Sequence, residues 1–183
     1  MIRNSDAIER VLISESQINE AVRSLAKKID DYYGGRNSRL LLLGILKGSV
    51  VFMGDLMKQV TIPVEIDFMK VSSYGSGTTG GTVNIILDLL RKDLSKTDIL
   101  IVEDIIDSGK TLSYLVNYLT LKGAKSVRTC TLLDKPDRRE VDFTADWTCF
   151  VIPNEFVVGY GLDFDEKYRA LPYIGVLKRE IYT

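Results

Sequence analysis

The run Ile99-Leu100-Ile101-Val102-Glu103-Asp104-Ile105-Ile106-Asp107-Ser108-Gly109-Lys110-Thr111 decides the architecture of this chain. Four β-prone apolar residues, Ile99 to Val102, read as a buried strand. In this reading the strand spans Asp98 to Glu103, and the adjacent carboxylates Glu103 and Asp104 end it. A short loop closing on Ser-Gly-Lys-Thr follows, and a helical pattern starts at Lys110. Loop amides and the positive end of a helix dipole favour a phosphate. Hard carboxylate oxygens favour Mg²⁺. The run therefore suits a sugar phosphate and a divalent cation.

The Walker A loop, G-x-x-x-x-G-K-[ST], shares the Gly109-Lys110-Thr111 portion. Its first glycine would fall at Asp104, whose carboxylate would repel nucleotide phosphates. That excludes a P-loop NTPase.

On either side of this run, strands and helices alternate. Ser14 to Tyr33 reads as a helix, with a capping box from Ser14 and Gln17, apolar residues at Ile18, Val22, Leu25 and Ile29, and a stop at Gly34-Gly35. Leu40 to Leu46 is a continuous apolar run, expected as a strand buried on both faces. Ser49 to Val60 is a second helix, Val64 to Ser73 and Thr82 to Leu87 are strands, and Gly75 to Gly81 is a glycine-rich loop or lid. Lys110 to Lys122 is a third helix, Val127 to Leu133 a strand, and Asp134 to Glu140 a charged loop. Trp147 to Ile152 and Phe156 to Tyr160 read as short strands; the tail from Leu162 mixes charged and apolar residues. Such alternation predicts a mainly parallel twisted sheet flanked by helices, with ligands beyond the carboxyl ends of its strands.

Composition narrows the chemistry. The chain has 183 residues, 45% of them hydrophobic, and a net charge of −1, which suits a single globular domain with a sizeable core. Neither a nucleic-acid nor a membrane-surface binder is indicated. The N-terminal residues lack the apolar core of a signal peptide, so a cytoplasmic location is expected. Cys130 and Cys149 fit no zinc or redox spacing and read as reduced core thiols. The chain contains no histidine. That excludes Ser-His and Cys-His nucleophiles and any His-ligated metal, and leaves a site of Asp, Glu and Mg²⁺ viable.

Further strand-end segments join this site. Leu46-Lys47-Gly48-Ser49 offers a cation and a helix start to an anion. Ser72-Ser73-Tyr74-Gly75 borders the loop, and Phe156-Val157-Val158-Gly159-Tyr160-Gly161-Leu162-Asp163 sets an aromatic face beside an acid. Taken in order with Leu133 to Pro136 and the tail Tyr168-Arg169-Ala170-Leu171-Pro172-Tyr173, these segments resemble the signatures of the hypoxanthine(-guanine) phosphoribosyltransferases, in their bacterial form. The Val102 to Thr111 run resembles the 5-phosphoribosyl 1-diphosphate (PRPP) motif of type I phosphoribosyltransferases. Ser108 stands where Thr is common, and Phe164 where Tyr is usual.

The resemblance implies a type I phosphoribosyltransferase fold with a small hood built from the N-terminal segment and residues 153–183, and a flexible active-site loop at about 72–82. It implies Mg²⁺-dependent transfer of ribose 5-phosphate from PRPP to N9 of hypoxanthine or guanine, with no nucleic-acid partner. Homo-oligomers, dimers or tetramers, are usual in the family. By position, Glu103, Asp104, Asp107, Ser108, Gly109, Lys110 and Thr111 would hold the ribose phosphate, and Lys47, Gly48 and Arg169 the pyrophosphate. Lys135, Phe156, Val157 and Asp163 would bind the purine, and Ser73 and Tyr74 would ride on the closing loop. Glu103, Asp104 and Asp163 would order the metal, and Asp107 would take the proton from purine N7. Three other readings are weighed against this one: transfer to another base, a PRPP-binding regulator of nucleic acid, and a flavodoxin-like phosphoacceptor. Lys135 and the Phe156 to Asp163 segment argue against adenine and orotate and leave xanthine as a minor activity; the second reading loses ground to the low basic charge, and the third has no use for Lys47, Phe156 and Arg169 together.

Overall fold

The structure, a computed structural model, describes residues 5–74 and 82–183. Its strands are β1 (Ile8–Ile13), β2 (Arg39–Leu46), β3 (Val64–Tyr74), β4 (Thr82–Leu87), β5 (Thr97–Ile106), β6 (Ser126–Asp134), β7 (Trp147–Val151), β8 (Val157–Val158) and β9 (Ile174–Leu177). Its α-helices are α1 (Glu15–Tyr33), α2 (Val50–Gln59), α3 (Lys110–Leu121) and α4 (Arg179–Tyr182). Six strands form the main sheet in the order β4-β3-β2-β5-β6-β7. All its pairs are parallel except β3 with the edge strand β4.

Alternation along the central strands builds two cores. Leu40, Leu42, Leu100 and Val102 face one side with Ile18, Val22 and Ile29 of α1 and Phe52 and Leu56 of α2. Leu41, Leu43, Ile99 and Ile101 face the other with Leu112, Leu115 and Leu119 of α3. The continuous apolar runs thus mark strands covered on both faces. The capping box at Ser14 and Gln17 forms as the sequence predicts, and the Gly34 amide closes α1 on the Asp30 carbonyl.

Several boundaries differ from the sequence reading. The strand does not end at the two carboxylates: β5 continues to Ile106, because Ile105 and Ile106 pair with Leu133 and Asp134 of β6. Only Val157 and Val158 of the expected Phe156 to Tyr160 strand are extended. Gly159 and Gly161 have φ of +102° and Tyr160 has φ of +49°, which folds the chain away. Of the expected loop at 72–82, Ser72 to Tyr74 belong to β3 and Thr82 to β4, with Ser73 and Tyr74 paired to Val83 and Thr82. Gly75 to Gly81 lie outside the described residues.

A second sheet, β1-β9-β8, is wholly antiparallel and joins the N-terminal segment to the C-terminal one. This is the expected hood, although neither β1 nor β9 stands out in the sequence. Among the described residues no helix is long and apolar enough to cross a membrane. Both cysteines are free thiols, with Cys130 buried between strand and helix layers.

Candidate active site

Parallel pairing brings three strand ends together. Lys47, Asp107 and Lys135 each follow the last residue of β2, β5 and β6. Three segments remote in sequence thereby reach the carboxyl edge of one sheet, where open α/β sheets bind ligands.

A cavity of about 330 Å³ opens beyond β5, lined by Glu103, Ile105, Ile106, Asp107, Ser108, Gly109, Thr111, Leu112, Arg138 and Glu140. It sits at the amino end of α3, where the first backbone N–H groups have no partner within the helix. Gly109 caps this helix at φ of +80°, in the left-handed region that favours glycine. The Ser108 hydroxyl accepts from the Lys110 amide at 3.3 Å, and the Ser108 carbonyl accepts from the Glu140 amide at 3.0 Å. Lys110, expected in the phosphate loop, turns its side chain to Glu140 and does not line the cavity.

A second cavity, of about 280 Å³, adjoins the first through Asp107 and Arg138 and is otherwise lined by Lys135, Asn154, Glu155, Phe156 and Tyr182. Lys135 is only 8% exposed, and its ammonium lies 3.7 Å from the Asp107 carboxylate. Burial pulls the Lys135 pKa down, with Asp107 acting the other way. Tyr182 stacks on Phe156 with centroids 4.7 Å apart, and Phe164 meets it edge-on at 5.5 Å. Val157 lies beside Phe156 in β8, paired with Val176.

The third part is cationic. Lys47 begins the turn after β2, and its peptide bond with Leu46 is cis. Its ammonium meets Glu166 at 3.0 Å. Arg169 donates to the Gly161 carbonyl at 2.7 Å and pairs with Asp163 at 2.9 Å and Glu166 at 3.3 Å. Gly48 packs so closely on the Asp104 carboxylate that a Cβ there would stand 1.5 Å from Oδ2. A Cβ on Gly161 would stand 2.0 Å from the Gly48 carbonyl oxygen. Two glycines therefore let β5, the Lys47 turn and the hood touch.

Glu103 and Asp104 alternate across β5, so only Glu103 lines the cavity beyond β5, while Asp104 backs Gly48. Glu103 Oε2 is buried without a hydrogen-bond partner. Burial first, and the charge of Asp104 second, push the Glu103 pKa well up. Burial raises Asp104 to about 6, with backbone hydrogen bonds and Arg169 opposing it. Asp163, expected as a third metal-ordering acid, is engaged by Arg169 and by the Glu166 amide. Among the described residues no three acids or thiols converge to cage a metal by themselves.

The structure adds residues that the sequence reading passed over. Arg139 donates to the Asp107 carbonyl and pairs with the Asp134 carboxylate, so it ties the loop after β5 to β6. Arg138 lines both cavities, Tyr182 covers Phe156, and Glu166 bridges Lys47 and Arg169. The run Asp134 to Glu140 is visibly charge-dense, but such loops are ordinarily solvated, and nothing local marks Arg139 as inward-facing. Ser73 and Tyr74 close β3 in backbone pairing, and their side chains are outside what the structure describes.

The comparisons with known proteins identify the family and the fold. The sequence model of the phosphoribosyl transferase domain matches residues 14–165. A hypoxanthine-guanine phosphoribosyltransferase of Streptococcus pneumoniae is 50% identical, over 96% of this chain and 97% of its own length. A bifunctional TilS/HprT protein of Listeria monocytogenes is 54% identical over 96% of this chain, which spans only 27% of that relative. A crystal structure of a Staphylococcus aureus hypoxanthine phosphoribosyltransferase superposes with a TM-score of 0.93 at 43% identity, covering 98% of this chain and 97% of that one. The chain belongs to the phosphoribosyltransferase family, in its hypoxanthine(-guanine) branch.

Proposed function

We propose that the protein transfers ribose 5-phosphate from PRPP to N9 of hypoxanthine or guanine, giving IMP or GMP and pyrophosphate. The observation that carries this reading is the meeting of a phosphate cavity and an aromatic-lined cavity at a single carboxylate, Asp107. The reaction needs that arrangement, because the bond that forms joins ribose C1 to the base.

The 5′-phosphate sits on the loop from Asp107 to Thr111, among backbone amides and the Ser108 and Thr111 hydroxyls. Glu103 and Asp104 hold the ribose hydroxyls. Phe156 stacks on the purine, and Lys135 donates to its 6-oxo oxygen. Adenine has no acceptor at that position and would leave a buried ammonium unpaired, so 6-oxopurines are selected. As the bond from C1 to the pyrophosphate oxygen breaks, positive charge grows on the ribose and negative charge on the leaving group. Lys47 and Arg169 receive the negative charge. N9 bonds to C1 while Asp107 takes the proton from N7.

The acids suit Mg²⁺. Glu103 Oε2 is a buried oxygen without a partner, and its neighbour Asp104 is also held against its preference for charge. One or two carboxylates are enough for Mg²⁺ when substrate oxygens complete its shell. Bound there, Mg²⁺ supplies charge neutralisation for the pyrophosphate. Asp163, with Arg169, closes the side nearest the base. The same reading carries a single domain, a cytoplasmic location, a homo-oligomer and a loop around Ser73 and Tyr74 that shields the site.

The test is initial rates with PRPP and Mg²⁺ against hypoxanthine, guanine, xanthine and adenine, followed by absorbance. Turnover of hypoxanthine or guanine, none with adenine, and loss with EDTA are expected. Equal turnover of adenine would overturn the base assignment, and no turnover of any base would overturn the enzyme reading.

A further inference from the structure

One side chain has a place in the site that the reaction scheme does not use. Glu166 sits between the two cations assigned to pyrophosphate, Oε1 3.0 Å from Lys47 Nζ and Oε2 3.3 Å from Arg169 NH2. One carboxylate therefore bridges both groups, as an oxyanion of a ligand would.

The two cations depend on it unequally. Arg169 has other anchors: the Gly161 carbonyl takes NH1, and Asp163 pairs with NH2. For Lys47, Glu166 is the one ion-pair partner among the described residues. If the carboxylate leaves, Arg169 stays oriented and Lys47 becomes free to take another anion.

The backbone around Glu166 is fixed, and its side chain is not. Its amide donates to Asp163 Oδ2 at 2.9 Å, and Phe164 and Lys167 exchange amide-carbonyl bonds at 3.0 and 3.3 Å. Asp165, Glu166 and Tyr168 all have positive φ, at 51°, 60° and 75°, a conformation uncommon for non-glycine residues. This tight turn aims the side chain at Lys47 without enclosing it, since the side chain is 65% exposed. A carboxylate on a fixed base, reachable by water, can swing out when a stronger anion arrives.

We propose that Glu166 is an internal counter-anion of the pyrophosphate subsite, holding Lys47 and Arg169 when no diphosphate is bound and competing with the diphosphate for them. This rests on the assignment of those cations to pyrophosphate. Glu166 weakens the binding of PRPP and of product pyrophosphate alike, and it refills the site as pyrophosphate departs. An exposed ion pair contributes little in water, so the competition is modest, about two- to fivefold in affinity.

The test is calorimetric titration of inorganic pyrophosphate, with Mg²⁺, into wild type and Glu166→Gln, alongside steady-state rates. Glutamine keeps the size and the hydrogen-bonding reach, and the position is exposed, so folding is undisturbed. The variant is expected to bind pyrophosphate about two- to fivefold more tightly, to lower KM for PRPP by a similar factor, and to leave KM for hypoxanthine unchanged. The gap between variant and wild type should narrow at high salt. A merely structural Glu166 gives the opposite sign: its removal would disorder Lys47 and weaken pyrophosphate binding. Unchanged or weaker binding in an active variant overturns the counter-anion alone. A wild type that turns over no base and binds no pyrophosphate overturns the functional reading with it.

Discussion

Replacing Asp104 by asparagine should make the protein more stable and less active. Asp104 is 8% exposed, pressed against Gly48, and its pKa rises from an ordinary 3.8 to about 6. A carboxyl raised in this way is more comfortable protonated. Between about pH 3.8 and 6 the folded chain keeps a proton that the unfolded chain has lost, so stability falls as pH rises through that window. The favourable contribution is complete below pH 3.8 and gone above pH 6. At pH 7 the charged, buried carboxylate therefore costs about 3 kcal/mol relative to a neutral group of the same shape. The substitution Asp104→Asn would remove that cost without opening a cavity. Thermal unfolding of this variant at pH 7 should show a melting point roughly 6–12 °C above wild type. Repeated at pH 4, the difference should shrink to less than about 1 kcal/mol, because the wild-type carboxyl is then largely protonated as well. Turnover should fall, since the proposed reaction assigns this carboxylate to the ribose hydroxyls and its charge has been traded for stability. A variant no more stable than wild type at pH 7, or a gap that persists at pH 4, would refute the reasoning.

Two further outcomes are expected. Lys135→Ala should lower kcat/KM for hypoxanthine by about 10- to 100-fold, the worth of a charged hydrogen bond to the 6-oxo oxygen, while circular dichroism stays native; undiminished turnover would remove Lys135 from the base site. Gly161→Ala should cost at least about 1–3 kcal/mol in chemical denaturation, because its φ is +102° and the new Cβ would stand 2.0 Å from the backbone oxygen of Gly48, which has no rotamer to escape into. It should also raise KM for PRPP more than KM for hypoxanthine, by displacing the Lys47 turn.

The parts of the fold that read clearly are those where local pattern and burial agree. Leu40 to Leu46 and Ile99 to Val102 are apolar on both faces because both faces are covered, and α1 carries its cap and its stripe in plain view. The hood is legible through family resemblance and not through pattern. In β1, Glu9, Arg10 and Val11 are exposed at a sheet edge, so no alternation shows. β9 is four residues long and contains Gly175. The end of β5 escapes the sequence reading because charged residues ordinarily stop strands, and the pairing with β6 that overrides them is nonlocal. In the candidate site, Lys47 and Lys135 are placed by the ends of the strands they follow, while Asp107 and the roles of all three come from the family resemblance. Arg139, Glu166 and Tyr182 cannot, because their partners lie far off in sequence: Asp107 for the first, Lys47 for the second, Phe156 for the third.

The pairing of β1 with β9 also orders events during synthesis. At 5–20 residues per second, the first strand leaves the ribosome roughly 10–30 s before its partner exists. The six-stranded sheet is complete once β7 has emerged, with Lys47, Glu103, Asp107 and Lys135 already gathered at its edge. Throughout that interval β1 waits without its partner strand, and Phe156 has yet to acquire the cover of Tyr182. A chain stalled before Ile174 would thus carry the formed loop after β5 beside an unfinished aromatic cavity. The nascent protein gathers Lys47, Asp107 and Lys135 first and covers Phe156 last.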